Sequence, residues 1–225
     1  ADNSKTVKTA TSVDINSNSG ELTQNASVDA VTSLDYDAAG TIDIQSSLEA
    51  PDDISVVSSA GDITTSGDIT SSGDAMLSAG GDVGIMDGTL SAVGIEITSG
   101  GGLTTTGTGL ISGDTLTTSS VTGTDIKTAV GTLSFSNTGT GDVLVDNTGG
   151  MTVTGSNLGG FVDLMTHSPL TVGVSGVSSL GDISLTAAGE AGAEDDNLTI
   201  LGSVTSTSGD IILLADDNII QDANV

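Results

Sequence analysis

The dipeptide Gly-Asp occurs eight times in this chain, with glycines at 61, 67, 73, 81, 113, 141, 181 and 209. In the first half it comes in a burst: residues 59 to 85 read SAGDITTSGDITSSGDAMLSAGGDVGI. A short aliphatic-rich segment follows most of the pairs. A chain that repeats one turn with so little between turns is built by stacking a single supersecondary unit on itself. On this reading glycine supplies a positive-φ corner without a Cβ clash. The aspartate bonds backbone N–H groups two residues on. The next aliphatic residue then points inward and its i+2 partner does the same.

The segments between the turns fit that picture. VDI at 13–15, IDI at 42–44, IEI at 95–97, VLV at 143–145 and ISL at 183–185 alternate over three to five residues and are bounded by Gly, Asp, Asn or Ser. Such alternation is a strand signal. Helical periodicity is nearly absent, since Gly (32 residues), Ser and Thr interrupt every window long enough to carry it,. Two Gly-Asp gaps, 113 to 141 and 181 to 209, are equal at 28 residues. Within the second gap, GDISLTA (181–187) and DDNLTI (195–200) align with GDIILLA (209–215) and DDNII (216–220). The first copy carries an extra AGEAGAE at 188–194, as a coil does when it accepts a loop at one corner,.

The expected fold is all-β: a right-handed parallel β-helix (β-solenoid) with roughly 20–28 residues per coil. Tandem β-sandwiches and, from the six-residue spacing of GDITTS-GDITSS-GDAMLS, a left-handed hexapeptide helix are the alternatives. Residues 1–50 read as an irregular N-terminal cap, arm or docking strand, with Pro51 at the boundary of solenoid repeats over 51–225,.

Composition narrows function more than it defines it. Mean hydropathy of +0.19 with 36% hydrophobic residues allows a core, but aromatics are 1%, so Val, Ile, Leu and Ala must fill it. Thirty acidic residues against three basic ones give a formal charge of −27. Lys5, Lys8 and Lys127 are the only cations, which excludes nucleic acid as a partner and disfavours anionic membrane surfaces,. With no cysteine there is no disulfide or thiolate chemistry,. No apolar run is long enough for a membrane-spanning helix,.

The GDI-x-L-x-A units at 181–187 and 209–215, with ADDNI at 215–219, resemble the degenerate repeats of filamentous-haemagglutinin-like giant secreted bacterial proteins. The resemblance covers about residues 54–225. It implies a parallel β-helix, extracellular or cell-surface placement, and a role in adhesion or fibre formation.

Candidate sites follow from the acidic turns. Clustered Asp, Glu and Asn oxygens suit calcium. The best placed are Glu194, Asp195, Asp196 and Asn197, with Asp216, Asp217 and Asn218. Asn25 and Asn197 lie in N-x-S/T sequons. The one histidine, His167 beside Pro169, reads as a turn residue with no sequence neighbour to make it a catalytic base,. Paired carboxylates abound in so acidic a chain, and three aromatics are too few to stack a sugar ring, so no enzyme activity is expected,. The expected role is an extracellular structural subunit of a fibre, sheath or adhesin stalk that stacks copies of itself head to tail. Lys5 and Lys8 at one end and Asp216, Asp217 and Asp222 at the other would set polarity,. A monomeric segment that binds surface glycans is the alternative.

Overall fold

The computed structural model describes residues 7–8, 12–18, 20–189 and 195–223. They form an all-β chain of short strands, every recorded strand pairing being parallel. That rules out the tandem sandwiches, whose sheets are antiparallel. The chain divides into two compact units, residues 1–114 and 115–225.

In the N-terminal unit each coil is a triangle. One side is a five-residue strand (Leu34–Ala38, Ile54–Ser58, Ala75–Ala79). The other two are three-residue strands, such as Ile42–Ile44 with Leu48–Ala50, and Ile63–Thr65 with Ile69–Ser71. Cα partners fix the rise: Leu34 pairs with Ile54, Ile54 with Ala75, and Ala75 with Ile95. A coil is therefore 20 or 21 residues. The hexapeptide triplet at 61–78 lies within one such coil, with a Gly-Asp pair at each of its three corners.

Alternation arises because each strand has one dry face. Parallel sheets are usually covered on both faces and read as continuous apolar runs. Here the second face meets water, so Leu34–Ala38 and Ile54–Ser58 bury every other residue. Buried residues stack directly: Leu22, Ile42, Ile63, Val83 and Leu103 form one ladder. Val28, Leu48, Ile69, Leu90 and Ile111 form another. Burying each such side chain contributes about 1.5–3 kcal/mol.

Residues 1–50 are the stretch expected as an irregular cap, arm or docking strand; residues 1–6, 9–11 and 19 of it lie outside the described residues, and the strands from Val13 to Ala50 carry this same pattern. Val13–Ser17 pairs with Leu34–Ala38, and Leu22–Gln24 with Ile42–Ile44. Pro51 sits at a corner of a continuing coil rather than at a boundary. The irregular look came from Asp, Asn and Ser on outward positions, which leave the inward alternation intact.

The Gly-Asp corners work differently from the expectation. Of the Gly-Asp glycines Gly141 has positive φ, but Gly61, Gly67, Gly73 and Gly81 do not. Those four are glycine for want of space. A Cβ on Gly67 would lie 2.3 Å from the Ser46 carbonyl oxygen, and one on Gly81 would lie 2.0 Å from Asp62 Oδ1. The aspartates also reach the next coil rather than their own turn. Asp62 Oδ1 accepts the Asp82 N–H at 2.8 Å, and Asp82 Oδ1 accepts the Gly102 N–H at 2.7 Å. Asp53 and Asp74 repeat the relay at a second corner, and Asp68 bonds Thr89 at the third.

The C-terminal unit keeps the plan with more varied coils. Val143 pairs with Val162, Val162 with Ile183, and Ile183 with Ile211, rises of 19, 21 and 28 residues. The 28-residue coil is the one holding the extra seven residues, and both flanks stay in register: Leu185 over Leu213, and Leu198 over Ile219. Gly113, by contrast, lies within the strand Leu110–Ser120 and not at a corner, so the matching gap from 113 to 141 is not a coil length. Buried asparagines brace this unit. Asn137 Nδ2 donates to Asn157 Oδ1 at 2.8 Å, while Asn157 Nδ2 donates to the Phe161 carbonyl.

Two predictions follow from the packing. Gly67→Ala forces backbone apart and is expected to cost about 1–3 kcal/mol. Gly84→Ala, whose Cβ would find its nearest neighbours at 3.9 Å, is expected to leave the melting temperature near wild type. Circular-dichroism melts of the two variants check this.

The second concerns Tyr36, which lies in the ladder between Ile15 and Val56, fully buried, with no hydrogen-bond partner for its hydroxyl. Burial pushes its pKa up to about 12. The folded state thus holds the proton more tightly than the unfolded chain, whose tyrosine titrates near 10. This stability is present below about pH 10 and lost as pH rises towards 12. As the chain's one tyrosine, with no tryptophan, it can be titrated by absorbance near 295 nm. Tyr36→Phe is expected to remove that alkaline loss and to match or exceed wild-type stability at neutral pH, because an unmet buried hydroxyl costs about 1–3 kcal/mol.

Candidate functional site: the last coil and the acidic corner

The last coil is built like those before it and buried unlike them. Ile211–Ala215 pairs with Ile183–Ala187, and Ile219–Gln221 with Leu198–Ile200. Among the described residues these two strands have no recorded partner on their other edge. The core positions show the result. Leu198 is fully buried, whereas Ile219, next in its ladder, is 48% exposed. Ile211, Leu213 and Ala215 are half-buried where Ile183, Leu185 and Ala187 are fully so. On the outward face Ile212 and Leu214 are also exposed, at positions that hold Ser184 and Thr186 one coil earlier. Among the described residues this coil thus presents an apolar surface and a strand edge with no recorded partner,.

The acidic turns expected to bind calcium lie at one corner of this region. Structure brings 195–197 and 216–218 together in successive coils. Asn218 Nδ2 donates to Asn197 Oδ1 at 2.9 Å, and Asp217 Oδ2 accepts the Asp196 N–H at 2.9 Å. Asp216 Oδ2 accepts the Gly189 N–H at 2.8 Å. Asp196 is buried, and Asp195 has a φ of 79°. The Asp216 and Asp217 carboxylates tie the corner to residues 189 and 196, on either side of the inserted stretch. Among the described residues no group of three or more His, Cys, Asp or Glu side chains is placed to hold a metal ion. Glu194 lies outside the described residues.

Of the residues expected to set assembly polarity, Lys5 lies outside the described residues, and only the backbone of Lys8 is described. Asp216 and Asp217 bond the preceding coil, so they face backwards rather than towards an added one. Asp222 is exposed, and its N–H donates to the Ile200 carbonyl.

Sequence reasoning left His167 as an isolated turn residue, but the fold gives it a partner. Its Nε2 lies 2.9 Å from Asp146 Oδ1, 21 residues earlier and one coil away. Asp146 stands in register with Lys127 and Met165. Asp125, Leu144 and Asp163 form the adjacent column. Together these outward residues line a shallow groove on the sheet face of the C-terminal unit. Only the coil length, unknown before the structure, could have predicted that grouping.

Comparisons with protein-family models, curated proteins and solved structures find no match. The architecture is that of the β-helix repeat proteins, and it rests on the parallel ladders alone. Among the described residues no helix is long and apolar enough to cross a membrane.

The open edge has a measurable signature. In hydrogen exchange of dilute protein, amides of Ile211–Ala215 are expected to exchange faster than those of Ile183–Ala187, which sit between two neighbours. Equal protection would mean the last coil is covered.

Proposed function

We propose that this chain is a structural segment of an extracellular surface fibre, sheath or adhesin stalk, extended by continuation of the solenoid past its last described coil. The observation that carries the reading is the uncovered apolar rung of Ile211, Leu213 and Ile219 on a free parallel edge. A stacked-coil protein gains stability at each coil interface, so an exposed rung of this kind favours a further coil. The net charge of −27 keeps such a segment soluble between contacts,. The lack of cysteine suits a protein that folds outside the cell without oxidative help. The GDI-x-L-x-A units supply the resemblance to filamentous-haemagglutinin-like proteins, which supports surface placement and adhesion.

Negative-stain microscopy of concentrated protein, with and without calcium, is expected to show unbranched filaments whose fibre diffraction has a meridional spacing of about 4.8 Å. Monomers alone under all conditions would overturn the homopolymer.

A second reading, recognition of surface glycans, draws on the groove of Asp125, Lys127, Leu144, Asp146, Asp163 and Met165. It joins carboxylates and an ammonium, which suit sugar hydroxyls, to an apolar floor. Binding on a glycan array that is lost in Asp163→Asn, by a protein that stays monomeric, would favour it over the first.

A further inference from the structure

We infer that the shallow groove on the C-terminal unit binds a linear polyamine, with its two outer ammonium groups held by Asp125 and Asp163 and the methylene chain between them lying on Leu144 and Met165. This goes beyond both readings above: it shares its groove with the second and does not depend on sugar recognition.

The groove is a small grid, because outward residues of parallel strands stand in columns. One column runs Asp125, Leu144, Asp163 and Ser184 from coil to coil, and the next runs Lys127, Asp146, Met165 and Thr186. All eight residues line the groove. Charge is shared unevenly between the columns. Lys127 belongs to the second, in register with Asp146, and His167 brings its Nε2 to 2.9 Å from Asp146 Oδ1. The first column has two carboxylates and no basic residue. Asp125 and Asp163 are exposed, and neither carboxylate has a recorded hydrogen bond or ion pair among the described residues. The groove as a whole carries three carboxylates and one ammonium, in a chain of formal charge −27. Cations are drawn to such a surface and anions are repelled.

Spacing selects among the cations. Asp125 and Asp163 are two coil rises apart, about 10 Å at the strand spacing of a parallel sheet. A lone ammonium or a metal ion cannot touch both. Between them in the column stands Leu144, half-buried, with Met165 in the neighbouring column beside Asp163. A carboxylate, an apolar stretch and a second carboxylate in line are the complement of an ammonium, a run of methylenes and a second ammonium. Methylenes laid on Leu144 and Met165 leave water, and the flexible Met165 side chain adapts to them. A basic peptide matches less well, since backbone N–H and C=O groups over the same two side chains would lose their water without finding partners.

Calorimetric titration of the whole chain at low salt tests this with the α,ω-diaminoalkanes from diaminopropane to diaminooctane. Affinity is expected to rise with chain length and to be greatest for the members that span about 10 Å. Diaminopropane is expected to lie closer to butylamine than to diaminooctane. Asp125→Asn and Asp163→Asn are each expected to weaken diaminooctane about twofold to fivefold. Leu144→Lys sets an ammonium between the two carboxylates on an outward position, and is expected to abolish binding with the circular-dichroism spectrum unchanged. Asp35→Asn, on the outward face of the N-terminal unit, is the control and is expected to have no effect. Equal affinity along the series, with Asp35→Asn as damaging as Asp163→Asn, would mean attraction to overall charge and overturn the inference. Amines that fail to bind, beside a neutral glycan that binds and is lost in Asp163→Asn, would overturn it and leave the second reading standing. A groove that takes neither would overturn both.

Discussion

Successive corners in this protein run so close together that a single methyl group cannot fit between some of them. At Gly67 the obstacle is the Ser46 backbone, and at Gly81 it is the Asp62 carboxylate. Strand spacing of about 4.8 Å sets that distance, and the inward ladders need it, because stacked aliphatic side chains touch only when the coils do. The Gly-Asp pair is one device in two parts. Aspartate projects to the neighbouring coil and takes a backbone N–H that would otherwise lack a strand partner at the turn. Glycine, arriving at the same corner one coil later, leaves room for it.

Much of this was legible in the residues, and the failures are instructive. Alternation at 42–44, 54–56 and 183–185 marked strands correctly because an outward face in water keeps every second residue polar. The alignment of GDISLTA with GDIILLA gave the true register, since homologous corners recur at coil spacing. The role of glycine was misassigned, because positive φ and lack of room select the same residue and only coordinates separate them. Aspartate was assigned to its own turn for a related reason: a bond to residue i + 2 and a bond to residue i + 20 leave the same short pattern. The pairing of His167 with Asp146 had no local signal at all. It depends on a 19-residue coil beside a corner, and coil lengths here range from 19 to 28.

The interior is not uniformly apolar. Asn137, Asn147 and Asn157 are buried with their amides bonded to carbonyls, Asn137 also donating to Asn157, so they hold corners that aliphatic residues could not satisfy,. Tyr36 is the exception, a large ring accepted for its volume in spite of its hydroxyl. On the outside, parallel register sets like charges side by side, Asp14 with Asp35 and Asp29 with Glu49. Such neighbours repel, and solvent and salt screen them. An acidic exterior of this kind ties the comfort of the whole chain to the ions around it.

The 28-residue coil shows how forgiving the architecture is at its vertices. This coil holds seven more residues after Ala187 in sequence, yet Leu198 still pairs with Leu170 on one side and Ile219 on the other. Interior and exterior are therefore edited separately. A descendant of this chain could acquire a new epitope, a protease site or a whole grafted module at that vertex without renegotiating any contact in the dry centre. Removing one residue from the middle of a side would instead turn its inward set to the water.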